Sequence, residues 1–319
     1  MAMAIDRLES VELGGTTQWI CVRGADLSNP VMLLMQMGPG LPIINETRRF
    51  ERLLGLEDTF TVVYWDQRGT GLSLRDPQED SLSPDQMVAD TISLLELLRE
   101  RFETKTLVTG FSFGATFAAY AAAQRPDLVA TLVAVGMDID VPAAEANAYE
   151  FALGTARRRG NRRAIRQLEA IGPPPHPATR EFMTRVRWAS NFGGVSTNAG
   201  YNGTLRALLA SLARSPDYSI ADIVRTVRGI TSTQAALLPE LSTTDLVHTV
   251  TQLDIPIVMV QGRLDQVTPA PAAQAFHDSL TAPAKQLVWF EESAHTPHLE
   301  EPDRFRDVLM AVNSGLRAY

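Results

Sequence analysis

The feature that most constrains this chain of 319 residues is a serine between two glycines, at the junction of two contrasting segments. The pattern predicts a buried strand over 105–109 and an unbroken alanine-rich helix over 113–124. A strand that turns directly into a helix leaves no room for side chains two positions before and after the turning residue, which explains Gly110 and Gly114. The sequence therefore predicts that Ser112 lies at the apex of a sharp, strained turn.

Such a turn suits Ser112 to nucleophilic attack. The helix that begins at Phe113 places an unpaired backbone N–H and the positive end of its dipole beside a developing oxyanion. The five-residue pattern by itself arises by chance in about one chain in ten of this length. The prediction of a nucleophile elbow therefore depends on the strand, turn and helix occurring in that order.

Apolar segments on both sides of the elbow predict a mostly parallel central sheet. A hairpin is expected first, because 7–13 and 17–23 are separated by two glycines. Continuously apolar segments, typical of strands buried on both faces, follow at 31–35, 61–65, 129–135, 257–261 and 286–290. Helical patterns alternate with these strands, so the sequence predicts an α/β fold with helices on both faces of the sheet.

The alternation of strands and helices stops in the middle of the chain. From 140 to 250 the pattern is mostly helical, and it is broken by a proline-rich stretch at 172–175 and a glycine-bearing stretch at 191–203. We therefore predict one core built from 1–139 and 251–319, with a helical cap domain at 140–250 over the carboxyl edge of the sheet.

Composition narrows the classes of partner. A formal net charge of −8 argues against nucleic acid and anionic membranes as main partners, since these require clustered Lys and Arg. A single cysteine, Cys21, excludes an intramolecular disulfide framework and a multi-cysteine metal site. No window approaches 18 consecutive apolar residues. We expect a soluble cytoplasmic protein without a cofactor that acts on a small molecule or short peptide, and the oligomeric state stays open.

A serine hydroxyl needs a base, and the base needs an orienting acid. Asp265 follows the strand predicted at 257–261, and His295 follows the strand predicted at 286–290. Both lie on loops at the same sheet edge as the elbow, in the chain order Ser, Asp, His. We therefore predict a catalytic triad of Ser112, His295 and Asp265.

Alternatives to this triad remain. Asp265 by itself is also a typical turn-forming aspartate. Asp138 follows the strand at 129–135 and is the alternative acid, although it is otherwise expected only to lead into the cap. His298 is the alternative base. Zinc-binding and phosphate-binding motifs are absent from the sequence, and the glycine pattern of a dinucleotide site fails at Ile43.

Taken together, these motifs resemble the proline iminopeptidase-like branch of the α/β-hydrolases over nearly the whole chain. The most specific piece is Asp66-Gln-Arg-Gly-Thr-Gly71, which resembles the D-Q-R-G-x-G of that branch and structures the loop after the fourth strand. The resemblance implies that Ser112 is the nucleophile, His295 the base and Asp265 its orienting acid. It also implies that the backbone N–H groups of Phe113 and Gly38 form the oxyanion hole.

Two departures from the family pattern bear on the substrate. The family's H-G-G-P-G is Gln36-Met-Gly-Pro-Gly40 here, which predicts a narrower and more apolar pocket. The family's glutamate after a cap tryptophan is Ala189, so that anchor for the substrate's amino group is missing. Other cap carboxylates are expected to face solvent: Glu145, Glu150, Glu181 and Glu240.

Three functions therefore remain open. The resemblance implies release of N-terminal proline from peptides, and the departures favour an ester, lactone or amide hydrolase for a hydrophobic small molecule. A non-catalytic ligand receptor on the same fold is the third. Substrate contacts are not predicted.

Overall fold

A computed structural model of the chain describes residues 5–76 and 82–316. Within these residues the fold is built on an eight-stranded sheet, in the order β1-β2-β4-β3-β5-β6-β7-β8. The strands are β1 (Ile5–Leu13), β2 (Thr16–Gly24), β3 (Val31–Met35), β4 (Thr61–Asp66), β5 (Thr106–Phe111), β6 (Val129–Val135), β7 (Ile257–Gly262) and β8 (Lys285–Phe290). Strands β1 and β2 form the predicted hairpin, and β2 pairs antiparallel with β4. All the other pairings are parallel, so the predicted α/β architecture is confirmed.

Helices connect the parallel strands and cover the sheet. In the described part of the chain they are α1 (Thr47–Leu54), α2 (Pro84–Phe102), α3 (Phe113–Gln124), α4 (Val141–Arg158), α5 (Arg162–Ile171), α6 (Thr179–Asn191), α7 (Tyr201–Arg214), α8 (Ile220–Leu241), α9 (Leu246–Thr249), α10 (Ala270–Ser279), α11 (Pro297–Glu300) and α12 (Pro302–Leu316). Helix α2 begins after a capping serine, because Ser83 Oγ accepts a hydrogen bond from the Gln86 N–H.

The core lies on both faces of the sheet. Strand β3 shows this most clearly, since Leu33 and Met35 join the apolar cluster on the α2–α3 face. Met32 and Leu34 join the cluster on the α1–α12 face. Successive side chains of a strand point to opposite faces, so a continuously apolar strand must be covered on both sides. This explains the absence of polar alternation in β3.

Six helices, α4 to α9, lie between β6 and β7, in the segment predicted to be helical. Helices α4, α5 and α6 share a small apolar cluster of their own around Leu168 and Trp188. The glycine-bearing stretch between α6 and α7 contacts the loops at the sheet edge, where Gly194 O accepts from the Gln266 N–H at 3.0 Å. The assignment of 140–250 as a separate cap domain stays a prediction.

The Asp66-Gln-Arg-Gly-Thr-Gly motif holds this edge together. Asp66 is fully buried, and its Oδ1 accepts from the N–H groups of Ile43 and Ile44 at 2.8 and 3.0 Å. Its Oδ2 accepts from the Leu72 N–H at 2.8 Å and from the hydroxyl of Tyr218, which follows α7. One carboxylate thus ties the loop after β3 and the loop after β4 to the helical segment, as expected for a residue that structures loops.

Among the residues that the structure describes, no helix is long and apolar enough to span a membrane.

Candidate active site

The predicted elbow is present between β5 and α3. Ser112 has φ 52° and ψ −128°, an unusual combination for a residue with a side chain. A Cβ atom added to Gly110 would lie 2.5 Å from the Ala115 Cα, and one added to Gly114 would lie 2.4 Å from the Gln36 carbonyl oxygen. Both distances are shorter than any real contact, so the turn requires glycine at these two positions.

The structure brings the three residues of the predicted triad together. His295 Nε2 lies 3.1 Å from Ser112 Oγ, and His295 Nδ1 lies 2.8 Å from Asp265 Oδ2. All three side chains are buried. These are hydrogen-bonding distances between the serine and the histidine and between the histidine and the aspartate, as the predicted roles of nucleophile, base and acid require.

The loop after β7 fixes the carboxylate of Asp265. Its Oδ1 accepts from the backbone N–H groups of Val267 and Thr268 at 2.7 and 2.9 Å. Its Oδ2 accepts from Thr268 Oγ1 at 2.6 Å, while Gln261 at the end of β7 adds a longer contact of 3.3 Å. Asp265 therefore does form a turn, through the hydrogen bonds to its Oδ1. These bonds orient its Oδ2 toward His295. The part played by Thr268 was not predicted from the sequence.

The loop after β8 holds His295 from two sides. The His295 N–H donates to the Val195 carbonyl in the stretch between α6 and α7 at 3.0 Å. Glu300 in α11 accepts from the Ala294 N–H at 3.1 Å and from Thr296 Oγ1 at 2.6 Å. These bonds flank His295 directly, so its backbone is fixed by both the core and the helical segment.

Asp138 lies in a different place from the one that the sequence suggested. It was expected only to lead into the cap, but its Oδ2 accepts a hydrogen bond from Ser112 Oγ at 2.7 Å. Its backbone carbonyl accepts from Thr116 Oγ1 at 2.8 Å, which fixes the residue against α3. Asp138 is 4% exposed. A second carboxylate therefore contacts the serine, while Asp265 contacts the histidine.

His298, the alternative base, lies among aromatic rings. Its ring centroid is 4.3 Å from that of Phe111 and 5.9 Å from those of Phe50 and Phe305. Burial, followed by the nearby positive charges of Arg49 and His295, lowers its pKa to about 3. An imidazole with this pKa is a poor proton acceptor. Of the two histidines, His295 is therefore the one that the structure places on Ser112 and Asp265.

The charges around His295 determine its titration. Burial lowers its pKa, but the charge of Asp265, the hydrogen bond to Asp265 and the charge of Asp138 outweigh burial, and the net shift is upward from 6.5. The pKa of Asp138 is raised to about 6, mainly by burial, which the charge of His295 and the bond from Ser112 partly offset.

We expect kcat/KM to rise with pH through a midpoint above 6.5 and then to reach a plateau. Only the neutral imidazole of His295 accepts the Ser112 proton, and a raised pKa keeps the ring protonated to higher pH. A pH profile on an uncharged activated ester measures this, because such a substrate does not itself titrate. A midpoint at or below 6.5 would contradict the charge arrangement described above.

The two residues predicted to donate to an oxyanion line the same cavity as the serine. The Phe113 N–H belongs to the first turn of α3, where backbone donors have no intrahelical acceptor. Gly38 lies in the loop after β3, and it lines the same cavity as Ser112 and Phe113. Gln36 stabilises this loop, because its Oε1 accepts from the Met37 N–H at 3.0 Å. The role of Phe113 and Gly38 as an oxyanion hole stays a prediction.

A cavity of about 340 Å³ opens above Ser112. Its lower wall comes from the loops after the strands, and its upper wall comes from helices α4, α6, α7 and α8. Most of the lining is apolar, and Met37 is part of it, as the departure from the family pattern predicted. In the described part of the chain, no three His, Cys, Asp or Glu side chains form a group that would hold a metal ion.

The prediction that Glu145 faces solvent is wrong. Glu145 in α4 is 4% exposed and lines the cavity, where it forms a salt bridge of 2.7 Å with Arg185 in α6. Its Oε2 also accepts from the His176 N–H at 3.0 Å. Glu150 and Glu240 are exposed as predicted, and Glu181 is half-buried. The sequence did not predict the salt bridge between Glu145 and Arg185, because the two residues lie on different helices.

The fold and the site geometry define the chain as an α/β-hydrolase. The family model described as serine aminopeptidase, S33, matches residues 56–303, which is most of the chain. The protein therefore belongs to this family of hydrolases.

Comparison with individual proteins agrees with this assignment. The chain is 28% identical over 307 residues to the probable aminopeptidase YbaC of Bacillus subtilis, covering 95% of this chain and 94% of that one. Among solved structures, VinJ superposes with a TM-score of 0.70 at 22% identity, over 97% of this chain and 99% of that one. The proline iminopeptidase of Mycobacterium smegmatis superposes with a TM-score of 0.66 at 17% identity, over 97% and 98% of the two chains. The predicted resemblance to proline iminopeptidase-related α/β-hydrolases is thus confirmed.

Proposed function

We propose that this protein is a serine hydrolase that releases the N-terminal residue of short peptides. The observation that carries the proposal is the continuous hydrogen-bonded chain from Ser112 through His295 to Asp265 at the floor of a largely apolar cavity. The family and the similarity to a probable aminopeptidase support the peptide as substrate. Proline is the N-terminal residue that the resemblance to iminopeptidases implies.

The chemistry follows from the positions of these groups. Ser112 Oγ attacks the carbonyl carbon of the first residue while its proton passes to His295 Nε2. The N–H groups of Phe113 and Gly38 hold the oxyanion. The C–N bond then breaks, and the leaving amine takes the proton from His295. Water attacks the resulting acyl-enzyme with His295 again as the base, which releases the free residue and restores Ser112.

A second candidate is an ester or amide hydrolase for a hydrophobic small molecule. The observation that favours it is the largely apolar lining of the cavity, including Met37, Leu205 and Leu208. The chemical steps are the same, and only the leaving group and the acyl part differ. A non-catalytic receptor on this fold would bind such a molecule without turnover.

A competitive substrate screen distinguishes the three functions. The substrates are proline and alanine p-nitroanilides and p-nitrophenyl esters of short and long acids, with the Ser112→Ala variant as the blank. We expect the aminoacyl anilides to be turned over with the higher kcat/KM. Turnover of esters alone would favour the second candidate. Binding without turnover of any substrate would contradict hydrolase function.

A further inference from the structure

We propose that Asp138 binds the protonated α-amino group of the substrate and thereby selects acyl groups that carry a free amine. This inference rests on the proposed function, and it names a replacement for the family's glutamate anchor, which is Ala189 in this chain. The anchor comes from the loop after β6 in the core and not from a glutamate in the helical segment.

Asp138 is a buried carboxylate that forms no salt bridge with a cation among the described residues. The buried Arg185 acts on Asp138 only through its charge, because it pairs with Glu145 at 2.7 Å. His295 pairs with Asp265 at 2.8 Å. In the described residues, no Lys, Arg or His side chain forms a salt bridge with Asp138. Buried charges are normally paired, so this carboxylate is complementary to a cationic group on a ligand.

The hydroxyl of Ser112 has one proton to donate, and two acceptors compete for it. These acceptors are Asp138 Oδ2 at 2.7 Å and His295 Nε2 at 3.1 Å. The shorter bond goes to Asp138, whereas attack on a carbonyl requires the proton to pass to His295. A substrate cation that engages Asp138 weakens its hold on the hydroxyl. A substrate amine thus promotes transfer of the proton to the base.

The α-amine of an aminoacyl group has the reach to contact Asp138 while its carbonyl carbon contacts Ser112. In an aminoacyl group the nitrogen lies about 2.5 Å from the carbonyl carbon. That carbon lies about 3–3.5 Å from Oγ in a reactive complex. Because Asp138 Oδ2 is itself 2.7 Å from Oγ, these distances allow an orientation of the acyl group in which the nitrogen lies within hydrogen-bonding distance of the carboxylate. In the described residues, no group donates a hydrogen bond to the other oxygen, Oδ1.

Protonation states at neutral pH suit this pairing. The pKa of Asp138 is raised to about 6, mainly by burial, so its carboxyl is charged at pH 7. An α-amino group has a pKa of about 8 and is still protonated there. Both partners therefore carry their charges between these two values.

The test compares two anilides that differ only in the amine, alanine p-nitroanilide and propionyl p-nitroanilide. We expect wild-type kcat/KM to be on the order of 10²-fold higher for alanine, the scale of one charge-assisted bond in a desolvated site. Asp138→Asn keeps the shape and removes the charge, so it should reduce this ratio to near one. Glu150→Gln, which neutralises an exposed carboxylate on α4, is the matched control and should keep the ratio.

Equal wild-type efficiency on the two anilides, or an unchanged ratio in Asp138→Asn, would overturn the inference. Hydrolysis of p-nitrophenyl propionate distinguishes failure of the amine anchor from failure of the hydrolase chemistry. If the ester is turned over but the two anilides are hydrolysed with equal efficiency, only the anchor and the aminopeptidase assignment are rejected. No turnover of any of the three rejects the serine hydrolase as well.

A measurement on the wild-type protein keeps the proposal testable if Asp138→Asn does not fold. We expect 1-aminoethylboronic acid to inhibit hydrolysis of p-nitrophenyl propionate on the order of 10²-fold more strongly than ethylboronic acid does. The two inhibitors form the same adduct with the serine and differ only in the amine. Equal inhibition constants would contradict the role of Asp138.

Discussion

Replacing Ser112 by alanine is expected to lower kcat by about 10⁶-fold, because the variant keeps the cavity but loses the atom that forms the acyl-enzyme. The alanine Cβ fits wherever the serine Cβ does, so the strained turn and the packing around it are preserved. Steady-state kinetics on the best substrate of the screen measure the loss.

The matched control for this variant is Ser190→Ala. Ser190 lines the same cavity, but its hydroxyl forms no hydrogen bond with Ser112, His295 or Asp265. We expect it to change kcat by less than about tenfold, as is usual for a group outside the reacting atoms. Residual activity above about 1% in Ser112→Ala would mean that another residue attacks the substrate, and an equal loss in Ser190→Ala would mean that the effect is not specific to Ser112.

Replacing Asp265 by asparagine is expected to lower kcat by about 10⁴-fold. The amide keeps the size of the side chain but favours the tautomer of His295 that carries its proton on Nε2, and this tautomer does not accept the proton of Ser112. The loop should fold as before, because an amide oxygen still accepts from the N–H groups of Val267 and Thr268. Circular dichroism and thermal unfolding verify that the variant is folded.

Asp278→Asn is the control for this charge change, since Asp278 is an exposed aspartate on α10 whose carboxylate contacts the side chains of Gln274 and His277 on the same helix. We expect its kcat to equal that of the wild type. A nearly active Asp265→Asn would show that Asp265 does not orient the base.

The elbow and the order of the triad were predictable because they depend on local constraints. Gly110 and Gly114 are required by contacts with the adjacent helix and with the loop after β3, and such contacts recur wherever a strand turns directly into a helix. Asp265 and His295 each follow a buried strand, and parallel strands bring their carboxyl ends to one edge. The fold, the strands and the meeting of these three residues therefore follow from patterns within short segments.

The contacts of Asp138 and Glu145 depend on geometry that no short segment encodes. Asp138 reaches Ser112 because Gly136, with φ 53°, turns the chain sharply after β6. Glu145 is buried only because Arg185 arrives from α6, and the packing of helices α4 and α6 is determined by their shared apolar cluster. A carboxylate that looks solvent-exposed in a helical pattern becomes part of the cavity through such a tertiary pair.

The Asp66 motif lies between these two cases. Its role in structuring the loop after β4 was predicted, and the bond to the Leu72 N–H agrees with it. The bond from the Tyr218 hydroxyl was not predictable, since that residue belongs to the helical segment far along the chain. Sequence motifs thus identified the residue that stabilises the edge but not its partner from the helical segment between β6 and β7.

The central claim, that Ser112 is the nucleophile, is tested most directly by labelling with a fluorophosphonate and locating the adduct by mass spectrometry. Trypsin does not cleave before Pro126, so the elbow falls in the peptide 106–157, in which Ser112 is the only serine. We predict one adduct per chain in this peptide, absent from Ser112→Ala and reduced in His295→Ala. An adduct in another peptide, or labelling that persists in Ser112→Ala, would contradict the assignment of Ser112 as the nucleophile.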